Sequence, residues 1–147
     1  MINPKDYQEI VYKIIGAAMT VHRELNWGLL ESLYNEALHL ELQELGIKHE
    51  TEKQLPCFYK QYRLEKYFQL DLVVEDDIII ELKSVNKIVP AHRSQLFNYM
   101  RLTKKPIGLL INFGQPSLQG ERYAFFKETN TCAVLDKEMD LVYPDDV

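Results

Sequence analysis

Residues 71–83 read "DLVVEDDIIIELK" and place two carboxylates and an amine, Asp71, Glu81 and Lys83, in the strongest strand-forming stretch of the chain. Val73-Val74 and Ile78-Ile79-Ile80 are β-branched runs on either side of a polar Glu75-Asp76-Asp77 loop, the pattern of a β-hairpin. A loop centred on Asp76 sets Val74 against Ile78, Val73 against Ile79, Asp71 against Glu81 and Gln69 against Lys83. Directly opposed residues have Cβ atoms about 4.5–5.5 Å apart. At that range two unit charges repel by roughly 3 kcal/mol at an effective dielectric of about 20. A proton, a neighbouring cation or a bound metal ion must offset the repulsion. Lys83 is one source of positive charge, and hard oxygen ligands of this kind suit Mg²⁺ or Mn²⁺. The alternative is a solvated hairpin face with an ordinary salt bridge.

The elements around this hairpin follow from periodicity. Alternation puts Leu70, Leu72, Val74, Ile78, Ile80 and Leu82 on one apolar face. Gln69, Asp71, Val73, Ile79, Glu81 and Lys83 share the other. Apolar residues at three- and four-residue steps predict a helix from about Lys5 to Leu25 and another from about Leu29 to Leu45, with Gly46 as its stop. "IKHETEKQLPCFYK" predicts a strand, and Pro90 opens an amphipathic helix running to about Leu102. "IGLLINFG" is a continuous apolar run, hence a buried strand, and "ERYAFFK" and "CAVLD" predict strands at the sheet edge. The order is that of an α/β sandwich with a mixed sheet. In the second helix Glu31 and Tyr34 share a face; in the later one His92, Gln95 and Tyr99 do.

At 147 residues the chain is read as one domain, residues 1–147, able to bury a proper core. No apolar run reaches the ~18 residues of a membrane span, and the N-terminus lacks a signal-peptide core, so a cytoplasmic location with no membrane partner is expected. Cys57 and Cys132 have no metal-type spacing and are expected as reduced thiols. The first few residues and the acidic "DLVYPDDV" tail are the expected loose ends. The net charge of −5 argues against a general polyanion binder, but its distribution does not. From Leu82 to Gly120 there is no Asp or Glu, while Lys83, Lys87, Arg93, Arg101, Lys104 and Lys105 all fall there. A segregated basic face of this kind can hold nucleic acid. Chance clustering on a solvated helix gives the same pattern.

Asp71, then Glu81-Leu82-Lys83 across a hairpin and a following helix, resembles the PD-(D/E)xK nuclease superfamily. "QLFNY", with Gln95 and Tyr99, is similar to the Q-x-x-x-Y motif of some of its nucleases. "GLLESLY", with Gly28, Glu31 and Tyr34, resembles the G-x-x-E-x-x-Y signature of a bacterial family assigned to that superfamily, and the likeness spans roughly residues 8 to 114. Asn26-Trp27 departs from it, standing where a Gly-Pro-like pair is expected.

The resemblance implies an αβββαβ core with a mixed central sheet flanked by helices. It also implies a Mg²⁺- or Mn²⁺-dependent nuclease hydrolysing phosphodiester bonds of nucleic acid, with DNA favoured. Asp71 and Glu81 are then metal ligands with the Leu82 carbonyl, and Glu31 is a further ligand, direct or through water. Lys83 positions the attacking water or neutralises phosphate charge, and Gln95 and Tyr99 support the site. Lys87, Arg93, Arg101, Lys104 and Lys105 form the expected nucleic-acid face. The competing readings are a non-catalytic nucleic-acid-binding or protein-interaction module that keeps the fold, and an enzyme acting on another phosphate-bearing substrate.

Overall fold

The computed structural model describes residues 1–143. A 3-10 turn over Pro4–Tyr7 leads into helix α1 (Gln8–Leu25), then α2 (Glu31–Glu44), strands β1 (His49–Tyr59), β2 (Tyr62–Val74) and β3 (Ile78–Lys83), helix α3 (Pro90–Thr103), and strands β4 (Ile107–Asn112), β5 (Gln119–Phe126) and β6 (Thr131–Leu135). The six strands form one sheet in sequence order. Only β3 and β4 run parallel, because α3 carries the chain back across the sheet between them; the other neighbours are antiparallel. This is the mixed α/β architecture expected from the sequence.

Both faces of the central strands are covered. On one side Val11, Ile14, Ala18 and Val21 of α1 and Leu38 and Leu42 of α2 pack on Leu72, Val74, Ile78, Ile80 and Leu82. On the other, Leu96, Tyr99 and Met100 of α3 pack on Val73, Ile79 and Leu110. The hairpin register is the one its loop dictates: Val74 pairs with Ile78, Val73 with Ile79 and Leu72 with Ile80. Glu75 and Asp76 take positive φ in the turn, and the Asp77 N–H closes it on the Val74 carbonyl.

Two details of the hairpin differ from simple alternation. The ladder ends at Leu72–Ile80, so Gln69 pairs with Gln54 of β1 and Lys83 with Asn112 of β4 instead of with each other. Leu70 packs in the α3-side cluster rather than with Leu72 and Val74. The regular pleat is interrupted between them, where Glu52, beside Asp71, takes a φ of 50° and carboxylate-to-backbone bonds replace the ladder.

The expected loose ends are also partly tied down. Pro4 is buried, Lys5 Nζ reaches Asp140, Leu141 bridges to Leu135, and the Val142 N–H bonds the Val134 carbonyl. Residues 144–147 of the tail lie outside the described residues.

Candidate active site

The E-x-K strand enters the interior. Every residue of β3 from Ile78 to Leu82 is buried, and Glu81 is only 3% exposed, because β2 and β4 flank it and helices cover both faces. The solvated-face alternative therefore does not hold. Glu81 Oε1 accepts the Asp71 N–H at 3.3 Å, and Asp71 Oδ2 accepts the Leu82 N–H at 2.8 Å. Each carboxylate thus takes a backbone bond the ladder has given up, which locks the two side chains to each other's strands. Burial first, then the neighbouring Asp71 charge, pushes the Glu81 carboxyl up to about 8. Burial raises Asp71 as well. The pair holds a proton that two isolated carboxylates would have lost at neutral pH.

Lys83 makes no ion pair with these acids. Its Nζ donates to Gln95 Oε1 at 2.9 Å, and Gln95 Nε2 donates to the Tyr99 hydroxyl at 3.1 Å. Gln95 and Tyr99 lie one turn apart on α3, so the helix presents both to the strand. Burial, then the charges of Glu81 and Asp71, raises the Tyr99 hydroxyl and keeps it protonated. The chain Lys83–Gln95–Tyr99 therefore borders the carboxylate pair. His92 is not part of it; its Nδ1 accepts the Val89 N–H at 3.1 Å and caps the start of α3.

The N-terminal signature meets the site at the C-terminal end of β4. Gly28, at φ +86°, donates its N–H to the Phe113 carbonyl, and the Phe113 N–H donates to the Lys83 carbonyl. The Tyr34 hydroxyl donates to the Asn26 carbonyl at 2.7 Å and accepts the Leu29 N–H at 3.0 Å, while its ring stacks on Phe113 at 4.4 Å. Gly28 and Tyr34 thus clamp the α1–α2 turn to the strand end that carries Lys83. Asn26 has φ 62° and ψ −167°, a conformation natural to glycine. That explains why a Gly-Pro-like pair is the expected occupant of the turn.

Glu31 is the first residue of α2 and is exposed. The structure does not gather it onto the pair: among the described residues no three His, Cys, Asp or Glu side chains converge on a point that would hold an ion. The acid that does lie near Asp71, and adds to its upward shift, is Glu52 of β1. Nothing in the sequence around Glu52 singled it out.

Asn112 is a second residue missed in the sequence. Fully buried at the end of β4, it accepts the N–H groups of Val85 and Gly114 through Oδ1 and donates through Nδ2 to the Val85 carbonyl and Gln119. It fixes the loop leaving Lys83. Gly114 completes the fit, since a Cβ there would overlap the Val85 backbone. The available signal was a lone amide closing the apolar run "IGLLIN".

The five cations expected on one face are distributed. Arg93 is held by both carboxylate oxygens of Glu121, each at 2.8 Å. Lys104 sits over the Phe125 ring, Arg101 donates to Asn98, Lys105 donates to the Asp76 carbonyl, and Lys87 is exposed in the loop before α3. Arg101 and Lys105 both line a groove beside the C-terminal end of α3.

The site thus comprises a buried acid pair on a hairpin, an E-x-K strand running into a parallel crossover, and a polar chain from the crossover helix. A family model described as the PD-(D/E)XK nuclease superfamily matches residues 8–123, and the chain belongs to that superfamily. No curated protein and no solved structure matches it. Among the described residues, no helix is long and apolar enough to cross a membrane.

Proposed function

We propose that the protein is a cytoplasmic, divalent-cation-dependent nuclease that hydrolyses phosphodiester bonds, with DNA the favoured substrate. The observation that carries this reading is the buried Asp71–Glu81 pair bordered by the Lys83–Gln95–Tyr99 chain. Two abutting carboxylates that retain a proton through burial and mutual repulsion are the donor set that a small hard cation relieves. Mg²⁺ commonly binds through one or two carboxylates and keeps several waters, so it does not require a third acidic ligand. Asp71, Glu81 and the Leu82 carbonyl would hold it, with Glu52 or Glu31 acting through water. When bound, such an ion polarises a phosphoryl oxygen and lowers the pKa of water.

The chain's own residues do the rest. Lys83 carries positive charge beside the acid pair, where a phosphate can receive it. Gln95 accepts from that amine and leaves its remaining protons free to donate to substrate or water. Tyr99 holds the Gln95 amide in this orientation. Gly28 and Tyr34 fix the strand end from behind, which supports assignment to the G-x-x-E-x-x-Y family and gives two of its three signature residues a positioning role. The deciding experiment incubates purified protein with Mg²⁺ or Mn²⁺ and end-labelled DNA and RNA, single- and double-stranded. Metal-dependent cleavage lost in Asp71→Asn is the expected result. Cleavage that survives that substitution belongs to a contaminant and removes the proposal.

A further inference from the structure

β2 pairs with β3 only from Leu72 to Val74, so its first half and the matching part of β1 project beyond the sheet as a two-stranded arm. Between this arm and the C-terminal end of α3 lies an open groove of about 970 Å³. Its lining combines aromatic rings, Phe58, Tyr67 and Phe68, with four cations, Lys53, Lys66, Arg101 and Lys105, and includes no carboxylate. The groove is thus basic in a chain of net charge −5. Phe58 and Tyr67 are 61% and 53% exposed. Lys53 pairs with Glu50, whereas Lys66 has no ion pair among the described residues.

The groove is separated from the acid pair by a layer of packed rings. The Phe68 ring, which lines the groove, meets the Tyr99 ring edge-on at 5.5 Å, and Tyr99 ends the chain from Lys83. Asn98, Arg101 and Leu102, on either side of Tyr99 along α3, form the opposite wall.

We propose that this arm groove is the binding track for single-stranded nucleic acid, its rings stacking on bases and its cations following the backbone. Exposed rings interleaved with cations fit unpaired bases, whose faces a duplex conceals. Charge selects a polyanion over a second copy of this acidic chain. Edge pairing of β1 with another copy is further opposed by Pro56, which lacks an N–H, and by the register break between Pro56 and Phe58. The proposal deepens the nuclease reading and rests on it for the nature of the ligand.

The test measures anisotropy of fluorescein-labelled oligo(dT) 20-mer and a 20-base-pair duplex in the Asp71→Asn background, and cleavage in the otherwise wild-type protein. Phe58→Ala and Lys66→Ala alter exposed side chains and should leave the melting temperature unchanged. Phe58→Ala should weaken oligo(dT) binding about 5-fold or more, the scale of one lost base stack. Lys66→Ala should flatten its salt dependence. Lys127→Ala/Lys137→Ala, which removes charge elsewhere, should do much less. Hydrolysis of bis(p-nitrophenyl) phosphate, too small to reach the groove, should be unaffected by either groove variant. Equal binding of duplex, equal losses in the control variant, or displacement by polyglutamate as effective as by oligo(dT) would each overturn the proposal. So would a dimer in sedimentation velocity that Phe58→Ala dissociates. Groove-dependent binding with no cleavage by any variant would sink the nuclease reading and retain the track. Cleavage indifferent to Phe58 and Lys66 would do the reverse.

Discussion

The two halves of β2 break opposite rules. From Leu70 to Val74 the strand lies in the interior, and there it carries Asp71 beside buried Glu81. From Tyr62 to Tyr67 it is exposed, and there it carries Tyr62, Leu64 and Tyr67, each more than 40% accessible. One half puts charge where apolar groups belong; the other puts rings where water is. The costs differ. Buried charge is destabilising unless backbone donors, a proton or a cation compensate it, whereas exposed rings cost the fold little. The site half should therefore couple function to stability and pH, and the arm half should leave stability alone.

The largest expected effect isolates chemistry at the buried end. Lys83→Ala should lower the metal-dependent cleavage rate by about 10²–10³-fold, the scale of one lost electrostatic stabiliser. Its melting temperature should fall only slightly, since Lys83 gives up one hydrogen bond to Gln95. A wild-type rate in this variant would make Lys83 a structural residue.

Next comes the support behind the site. Asn112→Ala strands the Val85 and Gly114 backbone groups and should cost about 2–3 kcal/mol in denaturant unfolding. Asn112→Asp, which sets a buried carboxylate oxygen against the Val85 carbonyl and Gln119 Oε1, should cost at least as much. If both variants unfold like wild type, water replaces the amide and the loop is not pinned by it.

The pH dependence follows in size. A free glutamate titrates near 4.3, and in the fold Glu81 titrates near 8 because burial and Asp71 favour its protonated form. Between these values the folded state binds more protons than the unfolded, so stability must fall as pH rises. The metal-free protein should lose melting temperature from about pH 5 to 8. Glu81→Gln should flatten that slope, and Asp71→Asn should reduce it while its amide still accepts from Leu82. Added Mg²⁺ or Mn²⁺ should displace the proton, so its stabilising effect should grow with pH. A melting temperature that climbs over this range would show the pair is ionised without cost.

The smallest effect is expected at the arm. Tyr62→Ser removes a 60% exposed ring and should change stability by less than about 0.5 kcal/mol. A larger loss would mean that the arm is packed against something in solution, and the contrast between the halves of β2 would fail.

Much of the fold could be read from local pattern. Two β-branched runs around a polar triplet determined a hairpin and its register, because side chains alternate with period two and the loop length fixes which residues face each other. The same geometry placed Asp71 against Glu81, and the steps Glu31–Tyr34 and Gln95–Tyr99 put those residues on helix faces. Local pattern does not say what covers a face. That Glu81 is buried depends on α3 and β4 closing over β3, and its high pKa depends on that closure. Tertiary contacts likewise gave Arg93 to Glu121, brought Glu52 rather than Glu31 beside Asp71, and set Asn112 behind Lys83. The groove joins the β1–β2 arm to the end of α3, with lining residues in 53–68 and 98–105, and no periodicity within any one element encodes the space between. Periodicity is a property of neighbouring residues along one element, whereas burial, charge pairing and cavities arise only when distant elements pack.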